Sequence, residues 1–199
     1  MSKPPAIAQL EIKSWTPEAY LELELNAEER HEYRNGEIRP MPGGTPNHND
    51  IAGNLYILLK LALRGKAYRT FYADQRLWLP AVNLYTYPDI MVVEQPLQLQ
   101  TGRTDTVMNP CLIAEVLSNS TADYDYGEKF TAYRTLPTFR EYLLIDQYKI
   151  RVEHYVKTST HQWVSSAHDN PAVTLSLKTV ALNLQIADLY ENIDFESAT

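Results

Sequence analysis

Two carboxylates lie in apolar, strand-like segments, and they are the residues best placed to do chemistry. Asp89 begins the run 89–93 (DIMVV), and Glu115 lies inside the run 111–117 (CLIAEVL). An ionised carboxylate in a hydrophobic strand is costly unless a cation, a metal ion or hydrogen-bond donors compensate its charge. Two of them on adjacent strands indicate a divalent cation between them, and hard oxygen ligands of this kind suit Mg²⁺, with Mn²⁺ as a substitute.

Each carboxylate also has a structural explanation. Side chains alternate along a strand, so Ile113, Glu115 and Leu117 share one face, and both faces of this segment are apolar, as in a central strand. Glu115 could instead pair with an arginine, or the strand could be an edge with one wet face. Asp89 follows a proline, a common way to begin a turn or strand. The prediction therefore depends on the two carboxylates together.

A helix after Glu115 places two further charged groups. Asp125 and Lys129 lie four residues apart and so share one helix face. The apolar stripe that must pack on the sheet consists of Tyr126, Phe130 and Tyr133. Lys129 either reaches the two carboxylates or forms an exposed ion pair with Asp125 worth only a few tenths of a kcal/mol. Spacing alone leaves both readings open.

His48 and a hairpin supply the remaining polar candidates. His48 precedes Ile51 and Leu55 by three and seven residues, so it faces the buried side of its helix, where a core or capping histidine is the commoner outcome. The dipeptide 35–36 (NG) favours a two-residue hairpin turn. Alternation along the hairpin predicts that Glu32 and Glu37 lie on opposite faces, so that at most one of them faces a site.

Capping residues and hydrophobic periodicity predict four helices and a series of short strands around these residues. The helices cover about 17–25, 46–64, 121–136 and 186–190, with Thr16, Thr45 and either Ser120 or Thr121 as caps. The strands are 31–34, 37–39, 68–72, 76–79, 88–93, 112–117, 141–145, 150–156, 162–165, 174–177 and 180–184. Residues 94–110 are polar and read as a loop. This order predicts an α+β fold, or α/β with a mixed sheet.

Bulk composition is that of one ordinary globular domain over residues 1–199, with a loose arm at 1–14 and a core at 16–190. The chain is 44% hydrophobic and 22% charged, and its lone cysteine, Cys111, rules out an internal disulfide. We expect a cytoplasmic protein without a signal peptide or membrane span. A net charge of −7 argues against coating nucleic acid through bulk positive charge. Phosphate-binding glycine loops and a serine-nucleophile elbow are missing from the sequence.

The ordered set of segments resembles one family over nearly the whole chain. It comprises residues 31–37 (HEYRNGE), His48, 87–93 (YPDIMVV), 110–118 (PCLIAEVLS), 127–130 (GEKF) and 140–146 (REYLLID). Each piece is short, but their order and spacing together resemble the Uma family, a branch of the PD-(D/E)XK nuclease superfamily. The resemblance implies a restriction-endonuclease-like central mixed β-sheet flanked by helices, with an N-terminal helix and hairpin.

The resemblance also implies roles for individual residues. Asp89 and Glu115 would hold Mg²⁺, with the Val116 carbonyl as a further ligand. The superfamily motif places a lysine two residues after the acid, where this chain has Leu117. The family's remedy is a lysine moved to the next helix, which matches Lys129. Glu32 and His48 become additional catalytic candidates by resemblance.

Three functions remain open at this point. The leading hypothesis is a Mg²⁺-dependent endonuclease acting on DNA, which by analogy with the superfamily would be a homodimer. The alternatives are a catalytically inactive nuclease-fold module that binds nucleic acid or protein, and hydrolysis of another phosphoester. Candidate contacts to DNA phosphates are Arg64, Lys66, Arg69, Arg76, Arg134 and Arg140.

Overall fold

The computed structural model of the chain describes residues 14–41 and 43–195. The predicted arm at 1–14 therefore lies almost wholly outside the described residues. The largest element is a six-stranded sheet in the order β11-β10-β9-β8-β6-β3. Its strands are β3 (Tyr68–Tyr72), β6 (Ile90–Glu94), β8 (Pro110–Leu117), β9 (Glu141–Asp146), β10 (Val152–Ser159) and β11 (Gln162–His168). Strands β8 and β9 run parallel, whereas the other neighbours are antiparallel, so the predicted mixed sheet is confirmed.

A second sheet of five strands carries the predicted hairpin. Its order is β2-β1-β5-β4-β7, with β4 and β7 parallel. The strands are β1 (His31–Arg34), β2 (Glu37–Pro40), β4 (Arg76–Leu79), β5 (Leu84–Thr86) and β7 (Thr106–Val107). The hairpin turns at Asn35 and Gly36, both of which have positive φ, as the two-residue turn requires. Strands β12 (Thr174–Leu177) and β13 (Leu182–Gln185) form a separate pair.

The first two helices begin at their predicted threonine caps, whereas Thr121, which precedes the third helical stretch, makes no capping hydrogen bond through its side chain. In α1 (Pro17–Asn26) the Thr16 hydroxyl accepts a hydrogen bond from the Ala19 amide, and in α2 (Pro46–Ala62) the Thr45 hydroxyl accepts one from the His48 amide. The third helical stretch has three parts, α3 (Ala122–Tyr124), a π-helical turn (Asp125–Lys129) and α4 (Phe130–Tyr133). Helix α5 (Ile186–Leu189) is near the C-terminus. Across the two described ranges, every helix is too short or too polar to cross a membrane.

Strand β8 is buried along its whole length and separates two apolar clusters. On one face, Leu112, Ala114 and Val116 pack with α2; on the other, Ile113 and Leu117 pack with α4. The alternation predicted for this strand is therefore confirmed, and the alternative of an edge strand is wrong. Glu115 lies on the α4 face, so its carboxylate is enclosed between the sheet and the third helical stretch.

Three details differ from the prediction. Residues 94–110 were predicted as a loop but contain β7, and β5, which follows a short 3₁₀ turn, was not predicted. Both were missed because strands of two or three residues are too short to show a recognisable alternation. Glu32 and Glu37 share one face, because hairpin partners share a face and the register pairs Glu32 with Arg39 and Arg34 with Glu37. Tyr126 is 36% exposed rather than packed on the sheet, since the π-helical turn changes the angle between residues 125 and 129.

Candidate active site

The two carboxylates predicted to act together lie side by side on antiparallel neighbours. Strand β6 pairs with β8 so that Ile90 faces Ala114, which brings the preceding Asp89 beside Glu115. The Val116 amide donates to Asp89 Oδ2 at 2.7 Å, and the Asp89 amide donates to Glu115 Oε2 at 3.2 Å. One oxygen of each carboxylate is therefore held by a backbone amide of the neighbouring segment. The strand register positions both side chains without requiring a loop.

Lys129 is the cation of the site. Its Nζ lies 3.0 Å from Glu115 Oε1, 3.3 Å from Asp125 Oδ1 and 3.9 Å from Glu32 Oε1. The side chain is only 7% exposed, so these carboxylates are its compensation for burial. The exposed ion pair with Asp125 considered from spacing is therefore wrong, because the pair is buried and shared with Glu115.

Asp125 and Lys129 both point inward from a π-helical turn. Residues Asp125 and Lys129 are its first and last residues, and both are buried, whereas Tyr126, Gly127 and Glu128 between them are exposed. A π-helical turn is a rare local widening of an α-helix that occurs frequently at functional sites. Asp125 was not predicted as a site residue, although its spacing from Lys129 was the available signal.

Two hydroxyl groups hold the acids around Lys129. The Tyr133 hydroxyl donates to Glu115 Oε1 at 2.6 Å, and the Thr86 hydroxyl donates to Glu32 Oε1. Glu32 is 9% exposed and lies on the hairpin strand β1, so the hairpin sheet delivers one acid to a site built on the larger sheet. Thr86 and Tyr133 were missed from sequence because their partners are distant along the chain.

His48 lies at the start of α2, against Asp89. Its Nε2 lies 3.3 Å from Asp89 Oδ2, and its Nδ1 is buried without a hydrogen-bond partner among the described residues. Gly44 packs against this ring, since a Cβ there would fall 2.8 Å from Nδ1. The imidazole is thus held between the loop before α2 and the first carboxylate. His48 therefore lies beside Asp89 and outside the apolar clusters.

These groups line one cleft of about 490 Å³. Every predicted site residue lines it: Glu32, His48, Asp89, Glu115, Val116 and Lys129. Tyr87, Tyr124, Asp125, Gln147, Tyr148 and the segment 118–121 also contribute. A wider depression of about 720 Å³ lies against α1, but its lining contains none of the predicted site residues.

Protonation in the cleft follows from burial and from the excess of acids. Burial, opposed by the charge of Lys129, raises the pKa of Glu115 to about 8, and the neighbouring Asp89 and Asp125 charges add to the rise. Burial alone would lower the pKa of Lys129, but Glu115, Asp125 and Glu32 outweigh it and raise that pKa well above its usual value. Lys129 is therefore the group that keeps its proton.

Asp89 and His48 shift each other. Burial would raise the pKa of Asp89, but the hydrogen bond and charge of His48 outweigh burial and lower it. Burial would lower the pKa of His48, but Asp89 outweighs burial and raises it. Of the two neighbouring carboxylates, Asp89 is therefore the more easily ionised. Separation of the pKa values of two adjacent acids is typical of sites that assign them different tasks.

The donor set fits a magnesium ion better than a zinc ion. Within the two described ranges, no three histidine, cysteine or acidic side chains form a ready-made metal cage. Mg²⁺ usually takes one or two carboxylates and completes its shell with waters and substrate phosphates. Asp89 and Glu115 match that sparse requirement, and Asp125 adds a further buried carboxylate, whose Oδ1 lies 3.3 Å from Lys129 Nζ. Four acids line the cleft with Lys129, Arg39 and His48, so a divalent cation would relieve an excess of negative charge near Asp89 and Glu115.

The basic residues predicted to contact phosphates do not gather at this cleft. Its lining contains none of Arg64, Lys66, Arg69, Arg76, Arg134 and Arg140. Arg76 instead pairs with Asp105 and donates to Tyr87, and Arg140 pairs with Glu94. The lining arginine is Arg39 on β2, which the two-residue turn could have identified because it fixes the pairing of Arg39 with Glu32. Composition had given no reason to single out Arg39.

Comparison with known proteins decides the family. The family model Uma2, described as "Putative restriction endonuclease", matches residues 17–189. The chain belongs to the Uma2 family. It is 44% identical over 152 residues to the uncharacterized protein sll1609 of Synechocystis, an alignment covering 76% of this chain and 86% of that protein. It is 32% identical over 180 residues to slr1290 of the same organism, covering 90% and 93%.

A solved structure supports the Uma2 fold. The crystal structure of a "putative nuclease belonging to DUF820" from Anabaena variabilis has a TM-score of 0.68 to this chain and 19% sequence identity. The match covers 86% of this chain and 97% of that one. At this identity the likeness concerns the fold alone. It confirms the nuclease-like mixed α/β architecture predicted from the sequence.

Proposed function

We propose that this Uma2 protein is a metal-dependent DNA endonuclease that hydrolyses phosphodiester bonds in the cleft between its two larger sheets. The observation that carries the proposal is the adjacency of Asp89 and Glu115 with Lys129 Nζ, 3.0 Å from Glu115. Two strand-borne carboxylates and one buried lysine form the donor set that this chemistry needs. The family description supports the same reaction class.

Asp89, Glu115 and the Val116 carbonyl are the proposed holders of Mg²⁺, for which Mn²⁺ can substitute. When bound there, the ion polarises the scissile phosphate and lowers the pKa of a water. In the reaction, the water oxygen loses a proton to solvent and bonds to phosphorus, the bond from phosphorus to the leaving oxygen breaks, and the leaving oxygen takes up a proton from solvent.

Lys129 is proposed to stabilise the charge that develops on the phosphate. Its elevated pKa keeps it protonated, because Glu115, Asp125 and Glu32 hold the ammonium despite burial. His48 is proposed to orient Asp89 through the 3.3 Å contact from its Nε2, and Glu32 to orient the Lys129 ammonium from 3.9 Å. The usual lysine position is occupied by Leu117, which is 5% exposed and packed in the apolar cluster.

Cleavage of supercoiled plasmid with Mg²⁺ or Mn²⁺, and with EDTA as the metal-free reaction, tests the proposal. Wild type should nick the plasmid only with metal, and Glu115→Gln and Lys129→Met should each lose the activity. Glu191→Gln and Lys60→Met are matched controls, because both residues are exposed and lie outside the cleft. Circular dichroism establishes that each variant is folded. Cleavage at the wild-type rate in the Glu115 and Lys129 variants would contradict the proposal.

Metal binding can be measured without activity. Calorimetric titration with Mg²⁺ should give heat with wild type and much less with Asp89→Asn. The Glu191→Gln variant should bind as wild type does. Equal binding in all three proteins would remove Asp89 as a ligand.

An inactive binding module is the second candidate, because Leu117 replaces the usual lysine. Metal-dependent cleavage that disappears in Lys129→Met would exclude it. The homodimer and the single domain over 1–199 stay predictions, which light scattering and limited proteolysis would test.

A further inference from the structure

Aromatic side chains flank the acids at the bottom of the cleft. Tyr124 and Tyr148 line it and are both half-buried. The Tyr124 ring centroid lies 5.9 Å from Lys129 Nζ, which places that ring beside the proposed reacting groups. The Tyr148 hydroxyl accepts a hydrogen bond from the Asn119 amide at 3.3 Å, and its ring lines the cleft wall. Aromatic rings at such a site offer stacking surfaces to unpaired bases.

The charges near the cleft do not suit a grip on duplex DNA. Proteins that hold a duplex through its backbone neutralise several phosphates with lysine and arginine. Here Arg39 lies 2.9 Å from Glu37, Arg34 pairs with Glu128, and Lys149 Nζ lies 3.9 Å from Asp146. Neighbouring acids thus offset each of these cations. Recognition in this cleft must depend on contacts other than a broad positive surface.

The depth of the acids limits what can reach them. The Glu115 and Lys129 side chains are 3% and 7% exposed, and the cleft holds about 490 Å³. Sites of roughly 300–1,000 Å³ enclose a small-molecule-sized ligand, which corresponds to one or two nucleotides. A strand with unpaired bases can place a phosphate here with its bases against the aromatic walls, whereas the bases of a duplex are already stacked and paired and do not offer their faces to these rings.

Building on the nuclease function proposed above, we propose that the cleft binds an unpaired DNA strand, with Tyr148 and Tyr124 stacking on bases that flank the scissile phosphate. Arg39, at the mouth of the cleft, contacts a neighbouring phosphate. Single strands, tails and flaps are then the substrate class. One copy of the site is sufficient to cut a single strand.

Binding tests the inference separately from catalysis. Fluorescence anisotropy with Ca²⁺ in place of Mg²⁺ compares a labelled single-stranded oligonucleotide with the blunt duplex of the same sequence. Wild type should bind the single strand at least about tenfold more tightly. Tyr148→Leu should weaken that binding about tenfold, whereas Tyr148→Phe, which retains the ring, should keep it. Affinity should fall only weakly with salt, because few phosphates are neutralised.

Cleavage then distinguishes this inference from the nuclease proposal. With Mg²⁺ or Mn²⁺, the single strand and a tailed duplex should be cut faster than the blunt duplex. Preference for the blunt duplex, or equal binding by Tyr148→Leu and Tyr148→Phe, would overturn the inference and leave the nuclease function standing. Tight, ring-dependent single-strand binding without cleavage of any DNA would support the inference and contradict the nuclease function.

Discussion

Two buried glutamates on neighbouring parallel strands show why burial alone does not identify a functional acid. Glu141 on β9 is fully buried, and Glu115 on β8 is 2% exposed. Glu141 has His154 Nε2 at 2.6 Å and accepts hydrogen bonds from the Lys178 and Thr179 amides at 2.8 and 2.7 Å. Burial would raise the pKa of Glu141, but these donors outweigh burial and lower it.

Glu115 has the opposite balance. It accepts hydrogen bonds from one backbone amide and from Tyr133, and it faces Lys129, but burial, together with the charges of Asp89 and Asp125, raises its pKa to about 8. The surroundings of Glu141 satisfy a carboxylate with local donors, whereas those of Glu115 leave an excess of acid that a cation can relieve. The comparison separates a structural acid from a proposed metal ligand.

Glu115→Gln should cause the largest effect and should separate activity from stability. We expect a fall in the cleavage rate of about 1,000-fold or more, since a charged group at the reacting centre is lost. The melting temperature should stay equal or rise, because the variant removes one member of a crowded acid cluster. Plasmid nicking and thermal denaturation measure the two quantities. A large loss of stability would place Glu115 in the same class as Glu141.

Glu141→Gln should show the reverse pattern. Removing the charge leaves His154 and two buried amides poorly satisfied, and we expect a loss of about 3 kcal/mol in the free energy of unfolding. The cleavage rate per folded molecule, measured well below the melting temperature, should stay at the wild-type level. Urea denaturation gives the stability. A specific loss of activity in a fully folded variant would break the distinction.

The pH dependence of stability should have opposite signs at the two acids. The pKa of Glu115 is raised, so its contribution to stability is present below about 4.5 and is lost as the pH rises through about 8. The pKa of Glu141 is lowered, so its contribution is present above about 4.5 and is lost as the pH falls through its folded value. The quantity to measure is the melting temperature of wild type minus that of each glutamine variant, followed from below pH 4.5 to above pH 8. This difference should fall with rising pH for Glu115→Gln and rise with pH for Glu141→Gln. Parallel slopes would contradict the comparison.

Tyr133→Phe should produce the smallest effect. It deletes the 2.6 Å hydrogen bond to Glu115, worth about 1 kcal/mol, and keeps the ring packed against Phe139 and Tyr142. Because a donor to the ionised form is lost, the pKa of Glu115 should rise further. The limb of the pH–rate profile on which activity rises with pH should then move to higher pH. A pH–rate profile measures the shift. Phe139→Leu, a packing change nearby, should leave the profile in place.

Local sequence patterns predicted much of the fold and of the proposed site. The Asn35–Gly36 turn, the Thr45 cap and the alternation around Glu115 depend on neighbours in the chain, so their elements appear where expected. Asp89 and Glu115 could be paired from sequence because each lies in an apolar strand. The family resemblance, and not spacing, selected Glu32 and His48.

Long-range contacts account for what was missed. The burial of Glu141 was not predicted, because its hydrogen-bond donors come from segments far along the chain. They are His154 and the amides of Lys178 and Thr179. The six basic candidates were chosen by type, and charge alone does not place residues on a common surface. The spacing of Asp125 from Lys129 placed both on one helix face, but the burial of that face depends on how the third helical stretch packs on the sheet, which spacing does not give.

That turn makes the geometry of the cleft depend on chain length. Each residue of an α-helix rotates the chain about the helix axis by about 100°. The π-helical turn from Asp125 to Lys129 contains one residue more than an α-helical turn. Deleting the exposed Gly127 would shorten this segment by one residue and change the angle between Asp125 and Lys129, while every charged side chain remained in the protein. The alignment of the proposed catalytic groups thus depends on the number of residues in this turn as well as on their types. An insertion or deletion at Gly127 should therefore lower activity although no charged residue is lost.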